Sequence, residues 1–165
     1  MRTCALLVAW LAGCSGAPAP VDSVPSDWAL VTSSCGYTFM APPDVVAEDI
    51  QGIDSCVDRW STSDCTVAGD HGVYSGRDID TGEFIDFRQW SETIDGRTAE
   101  LTTAWNQLPS VVRRFQSSIY FTLVDSRNPE VMLKVSAFCS TAEAREETLQ
   151  MFRTINLTEP SAEQR

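Results

Sequence analysis

The chain is short of cations, of histidine and of long apolar runs. Its 165 residues hold 12 Lys+Arg against 23 Asp+Glu, giving a net charge of -11, and a single histidine, His71. So few cations exclude a nucleic-acid partner, because phosphate binding needs clustered Lys and Arg that displace counterions. The same shortage excludes electrostatic docking on anionic lipid. No apolar run approaches the roughly 20 residues that a membrane-spanning helix needs. There is no glycine-rich phosphate loop, no dinucleotide fingerprint and no internal repeat. The cysteines lack the closely paired spacing of zinc knuckles. No cofactor is therefore expected.

What is present begins with an address. Met1-Arg2-Thr3 supplies a positive charge, and Cys4 to Ala12 form an apolar stretch of nine residues. A cationic start, a short apolar core and small residues after it have the layout of an export signal. Leu11-Ala12-Gly13-Cys14 resembles the lipobox of bacterial lipoproteins. That resemblance implies a diacylglyceryl group on the Cys14 sulfur, cleavage just before Cys14, and acylation of the new amino group. Two or three acyl chains hold firmly, since each buried CH₂ contributes about 0.8 kcal/mol. Ser15, next to the lipidated cysteine, implies sorting to an outer membrane. Residues 1–13 are thus expected to be a signal peptide, and 14–26 a lipidated cysteine with a flexible Ser/Pro/Gly/Ala linker. A single α+β domain over 27–160 and a disordered tail over 161–165 complete the expected organisation. The membrane, through the anchor, and an envelope protein are the expected partners, and the periplasmic side of a bacterial cell envelope the expected place.

From Trp28 on, alternation at period 2 recurs between turn signals. Gly36 to Met40 reads as a strand stopped by Pro42-Pro43-Asp44. Residues 84–94 and 97–105 flank Asp95-Gly96, the strongest short-range hairpin signal. Ser118–Val124 and Val131–Cys139 read as a second hairpin around Asn128-Pro129. Ser140-Thr141-Ala142-Glu143 has the capping-box pattern. Ala144, Thr148, Met151, Phe152 and Ile155 then recur at helical spacing. Strands followed by an amphipathic helix predict an α+β fold, an antiparallel sheet closed by one C-terminal helix. The segments CGYTFMAPPD, ETIDGRTAEL and VMLKVSAFCSTAEAREETLQMFRTINL are similar, in kind and order, to the Mog1/PsbP-type α/β/α sandwich. The resemblance covers about residues 28–157 and implies an accessory or binding role more often than catalysis. Residues 53–76 have no counterpart of assignable role and are expected to be a loop.

Cys4 leaves with the signal and Cys14 carries lipid, so Cys35, Cys56, Cys65 and Cys139 remain. Export favours two disulfides, and four cysteines permit three pairings. The expected pairs are Cys56–Cys65, closing a short polar loop, and Cys35–Cys139, tying the first core strand to the last. The second would close a long loop worth roughly 4–5 kcal/mol in the chain-entropy model.

Each pattern that could carry chemistry also has a plainer reading. His71 beside Asp70 offers the base of a hydrolase, yet no G-x-S-x-G elbow accompanies it and a surface histidine suffices. Asp80-Thr81-Gly82 matches the aspartic-protease tripeptide, but that chemistry needs two aspartates sharing a proton, and Glu83 adds a further charge. A turn accounts for it. Asp78, Asp80, Glu83 and Asp86 could hold calcium for an adhesion module; they miss the EF-hand spacing and read as a solvated face. No catalytic residue and no metal ligand is assigned. Trp90, alternating with Arg88 and Glu92, is the best exposed aromatic for binding, with Trp60 behind it. The reading that results is a non-enzymatic, lipid-anchored accessory or binding domain whose ligand the sequence does not name.

Overall fold

Alternation dominates from Ala29 to Cys139, and the structure, a computed structural model, turns it into β-strands. It describes residues 24–73, 75, 84–108, 110–123 and 131–157. A seven-stranded antiparallel sheet forms one layer. Its strands are β3 (Val46–Glu48), β4 (Cys56–Ser61), β5 (Cys65–Gly72), β6 (Phe84–Ile94), β7 (Arg97–Asn106), β8 (Phe115–Leu123) and β9 (Val131–Cys139). The spatial order is β3-β4-β5-β9-β8-β7-β6. The second layer holds helix α1 (Ala142–Arg153) and a small sheet of β1 (Ala29–Thr32), β2 (Tyr37–Ala41) and β10 (Asn156–Leu157), in the order β1-β2-β10. Among the described residues the domain is mostly β, and one short helix stands where a sandwich with helices on both faces would carry more.

The core lies between these layers. Register places Val67, Ala137, Ser117 and Thr103 side by side, and likewise Gly69, Val135, Ile119 and Leu101. All these positions face α1 and β2 and are buried. From the other layer Tyr37 and Phe39 meet Trp60 edge-on, with ring centroids 6.2 and 5.0 Å away. On α1, Ala144, Thr148, Met151 and Phe152 are buried, as the helical spacing predicts, and Leu149 joins them. Burying a Leu, Met or Phe side chain contributes about 1.5–3 kcal/mol, so this stripe fixes the helix far more than its propensity does.

The helix cap differs from the expected box. Thr141, not Ser140, is the N-cap, and its hydroxyl accepts the Ala144 amide at 3.1 Å. Ser140 is diverted to the β4–β5 turn, where its hydroxyl and amide donate to the Asp64 side chain and carbonyl, at 2.7 and 2.9 Å. Moving the cap one residue on leaves Ala144 at the position where the box needs a carboxylate, so only half of the box forms.

The region expected as a loop contains the β4–β5 hairpin. Its alternation was masked because Asp58, Gly69 and His71 occupy inward positions where apolar residues are usual. The hairpin also overturns the expected cysteine pairing. Cys56 starts β4 opposite His71, whereas Cys65 sits beyond the far end of that six-residue strand, roughly 20 Å off. Those two sulfurs cannot meet. Cys65 instead lies in register with Cys139 on β9, Cα to Cα 4.2 Å, and bonds to it. Cys35, in the β1–β2 turn, bonds to Cys56, with Cα atoms 5.5 Å apart. One disulfide thus staples neighbouring strands of the large sheet, and the other ties the two layers together.

Candidate functional site

The β4–β5 hairpin sorts its polar residues by face. Pairing of Cys56 with His71 and of Asp58 with Gly69 puts Cys56, Asp58 and His71 on the inward side. The β1–β2 turn docks over them. Ser33 and Ser34 both donate to the Asp58 carboxylate, Ser34 at 2.7 Å. His71 Nδ1 lies 2.8 Å from the Cys35 carbonyl oxygen. A carbonyl only accepts, so Nδ1 carries a proton and donates it.

Asp70 points the other way. It accepts a hydrogen bond from Ser75 at 2.9 Å and lies in register with Lys134. Asp70 and His71 are therefore back to back on one strand, and no Asp–His couple forms between them. The inward serines offer their protons to a carboxylate rather than to an imidazole, so neither hydroxyl is arranged as a nucleophile beside a base. This corner fastens the turn to the hairpin.

The outward face of the large sheet has a different character. Ser91, Glu100, Tyr120, Lys134 and Asp70 form a row across β6, β7, β8, β9 and β5. The Lys134 ammonium stands 5.6 Å from the centre of the Tyr120 ring, within cation–π range. A shallow depression of about 330 Å³ opens here, lined by Ser91, Arg97, Thr98, Glu100, Tyr120 and Thr122. On the same face the hydroxyls of Ser118 and Ser136, both buried, lie 3.0 Å apart and share one hydrogen bond. Hydroxyls and charges of both signs suit a hydrophilic partner better than an apolar ligand. The signal for this face is the polar alternation Thr98-Glu100-Thr102 and Ser118-Tyr120-Thr122.

The aromatic candidates are redirected. Trp60 is buried in the core against Phe39, and so presents no binding surface. Trp90 is half-buried on the inward face in register with Leu101, and its indole N–H donates to Glu92 at 2.7 Å. Glu92 turns inward as well, because Arg153 of α1 reaches it with two hydrogen bonds, at 2.8 and 2.9 Å. The Arg153 guanidinium holds the Glu92 carboxyl below its ordinary range, with burial opposing and the Trp90 bond assisting. Burial pushes the Tyr37 phenol well above its usual value.

Asp86 is exposed, has φ 52° at a bulge, and pairs with Arg88 at 3.2 Å. Cys14, Asp78, Asp80 and Glu83 lie outside the described residues, as does the turn expected at Asn128-Pro129. Among the described residues no group of three or more His, Cys, Asp or Glu side chains could hold a metal ion. Among them, too, no helix is long and apolar enough to cross a membrane.

No family model matches the chain, and no curated protein matches it. Solved structures do. The solution structure of cyanobacterial PsbP (CyanoP) from Synechocystis sp. PCC 6803 is similar with a TM-score of 0.52 and 14% identity. The match covers 82% of this chain and 95% of that one. Likeness at that identity establishes the fold alone. The domain is PsbP-like in architecture.

Proposed function

We propose that this chain is a lipid-anchored accessory protein of the bacterial cell envelope, one that binds a partner and catalyses no reaction. The observation that carries the reading is the pair of disulfides, Cys35–Cys56 and Cys65–Cys139, in a domain that follows an export signal and the lipobox-like Leu11-Ala12-Gly13-Cys14. Disulfides persist in oxidising compartments, which agrees with delivery across the inner membrane. The PsbP-like fold supports an accessory role, as does the separation of Asp70 from His71 on opposite faces of β5. Ser15 favours the outer membrane as destination. Of the outward row, Ser91 is exposed and Glu100, Lys134 and Asp70 are half-exposed around the buried Tyr120, and this polar face of mixed charge is the surface best suited to an envelope protein.

The test is Cys14→Ser in the full chain. A longer, unprocessed precursor without acyl label is the expected product; processing and labelling equal to wild type would refute the anchor. His71→Ala separates binding from hydrolysis. An accessory protein keeps its partner and its envelope phenotype, whereas a hydrolase loses turnover.

A further inference from the structure

The two edges of the seven-stranded sheet are unequal. β3 is three residues long, a blunt edge, whereas β6 runs for eleven. Natural sheets protect long edges with proline, lysine, bulges or a covering element. β6 has a bulge between Ile85 and Arg88 only; from Arg88 to Ile94 its register with β7 is unbroken. That stretch, RQWSETI, contains no proline and no lysine. Among the described residues no strand pairs with its outer side.

The hairpin fixes which backbone groups face outward. Asp95 and Gly96 both have positive φ, 51° and 70°, so they form a two-residue turn closed by a hydrogen-bonded Ile94/Arg97 pair. Alternation from that pair turns the N–H and C=O of Glu92, Trp90 and Arg88 toward β7. The corresponding groups of Thr93, Ser91 and Gln89 point away from the sheet.

We propose that β6 is a self-association surface: two copies of this chain join β6 antiparallel about a two-fold axis at Trp90, continuing one sheet through both molecules. The sequence around Trp90 is antisymmetric in charge, Arg88-Gln89-Trp90-Ser91-Glu92. With the axis at Trp90, each Arg88 lies opposite the Glu92 of the second copy, whose Oε2 accepts the Arg153 Nε–H and has a further lone pair, Trp90 lies opposite Trp90, and outward-facing Gln89 pairs with outward-facing Ser91. Other registers compatible with the outward groups are worse. An axis at Ser91 sets Arg88 against Ile94, an axis at Glu92 sets carboxylate on carboxylate, and an axis at Gln89 sets Asp86 against Glu92. Arg88 is exposed and free to turn from its weak surface pair with Asp86. The interface is isologous and closes after two copies. It uses the backbone edge of β6 and, of the outward polar row, involves only Ser91, so it does not depend on the binding role proposed above.

The test uses the full chain purified in mild detergent and followed by sedimentation velocity. The expected mass is that of two chains. Ser91→Pro removes an outward N–H while sparing the ladder to β7, and should give single chains at unchanged melting temperature. Arg88→Glu, an exposed position, should weaken the dimer at least tenfold without any demand on folding. Trp90→Cys places two cysteines on the axis, about 4.5 Å apart between Cα atoms, and should yield an interchain disulfide that Ser91→Cys does not. Single chains at every concentration would overturn the proposal. So would a dimer that keeps its affinity in Arg88→Glu and in a folded Ser91→Pro variant.

Discussion

The phenol oxygen of Tyr37 occupies the space in which any side chain at position 69 would begin. A β-carbon built on Gly69 lies 1.9 Å from that oxygen and 3.1 Å from the ring carbon that bears it. β2 and β5 belong to different layers, so this contact sets how closely the small sheet approaches the large one.

Gly69→Ala should therefore destabilise the domain by about 1–3 kcal/mol, the range for overpacking a dense core. Tyr37→Phe/Gly69→Ala should recover part of that loss, because the nearest obstacle recedes to 3.1 Å. Urea denaturation of the four-member cycle measures the coupling. Strict additivity of the two substitutions would show that the layers do not meet as described.

Such contacts explain what the sequence could and could not disclose. Helix α1 and the Asp95-Gly96 hairpin were legible because spacing and turn chemistry act within a few residues. The β4–β5 hairpin was not, because Gly69 must be small for Tyr37 and Asp58 must be polar for Ser33 and Ser34, requirements imposed from another layer. The cysteine pairing failed with it. Once β4 and β5 are strands, Cys56 and Cys65 lie at opposite ends and register alone delivers Cys65 to Cys139. Trp90 is half-buried rather than exposed because its register with Leu101 turns it to the core face, where its N–H meets Glu92, itself held by Arg153 from 61 residues away.

That ion pair should shape the acid limb of stability. A carboxyl whose folded pKa lies below its unfolded value contributes stability in full above the unfolded value, near 4.5, and loses it as pH falls through the folded one. Melting temperature should decline below pH 4.5 in the wild type. Glu92→Gln should flatten that decline while costing about 1 kcal/mol at pH 7, since one half-buried charged pair is replaced by a neutral bond. An acid limb identical in the two proteins would show that other carboxylates govern it.

The two disulfides should differ in reducibility. Cys56 is exposed at the start of β4, whereas Cys65 and Cys139 are 2% and 0% exposed beneath α1. A thiolate must reach a sulfur in line with the bond it breaks, so access decides the rate. Limited treatment with a small thiol, followed by alkylation and peptide mass analysis, should label Cys35 and Cys56 first. Cys65 and Cys139 should be labelled only with unfolding. Equal labelling of all four under native conditions would contradict the burial of the β5–β9 bridge.

A buried hydroxyl pair offers a test in which the direction of a proton decides the outcome. Thr148 on α1 donates to the Arg145 carbonyl at 2.8 Å, so its only hydroxyl proton is committed. Ser117 on β8, 2.6 Å from the Thr148 oxygen, must then be the donor between them. Ser117 is fully buried and has its acceptor nowhere else among the bonds described. Thr148→Val keeps the volume but strands the Ser117 proton, which should cost about 1–3 kcal/mol. Ser117→Ala leaves Thr148 donating as before and removes only one net bond, roughly 1 kcal/mol. Adding Ser117→Ala to Thr148→Val should then restore stability, since no stranded donor remains. Chemical denaturation of the three variants ranks them, and a larger loss for Ser117→Ala than for Thr148→Val would reverse the assigned proton and with it the way α1 is fastened to the sheet.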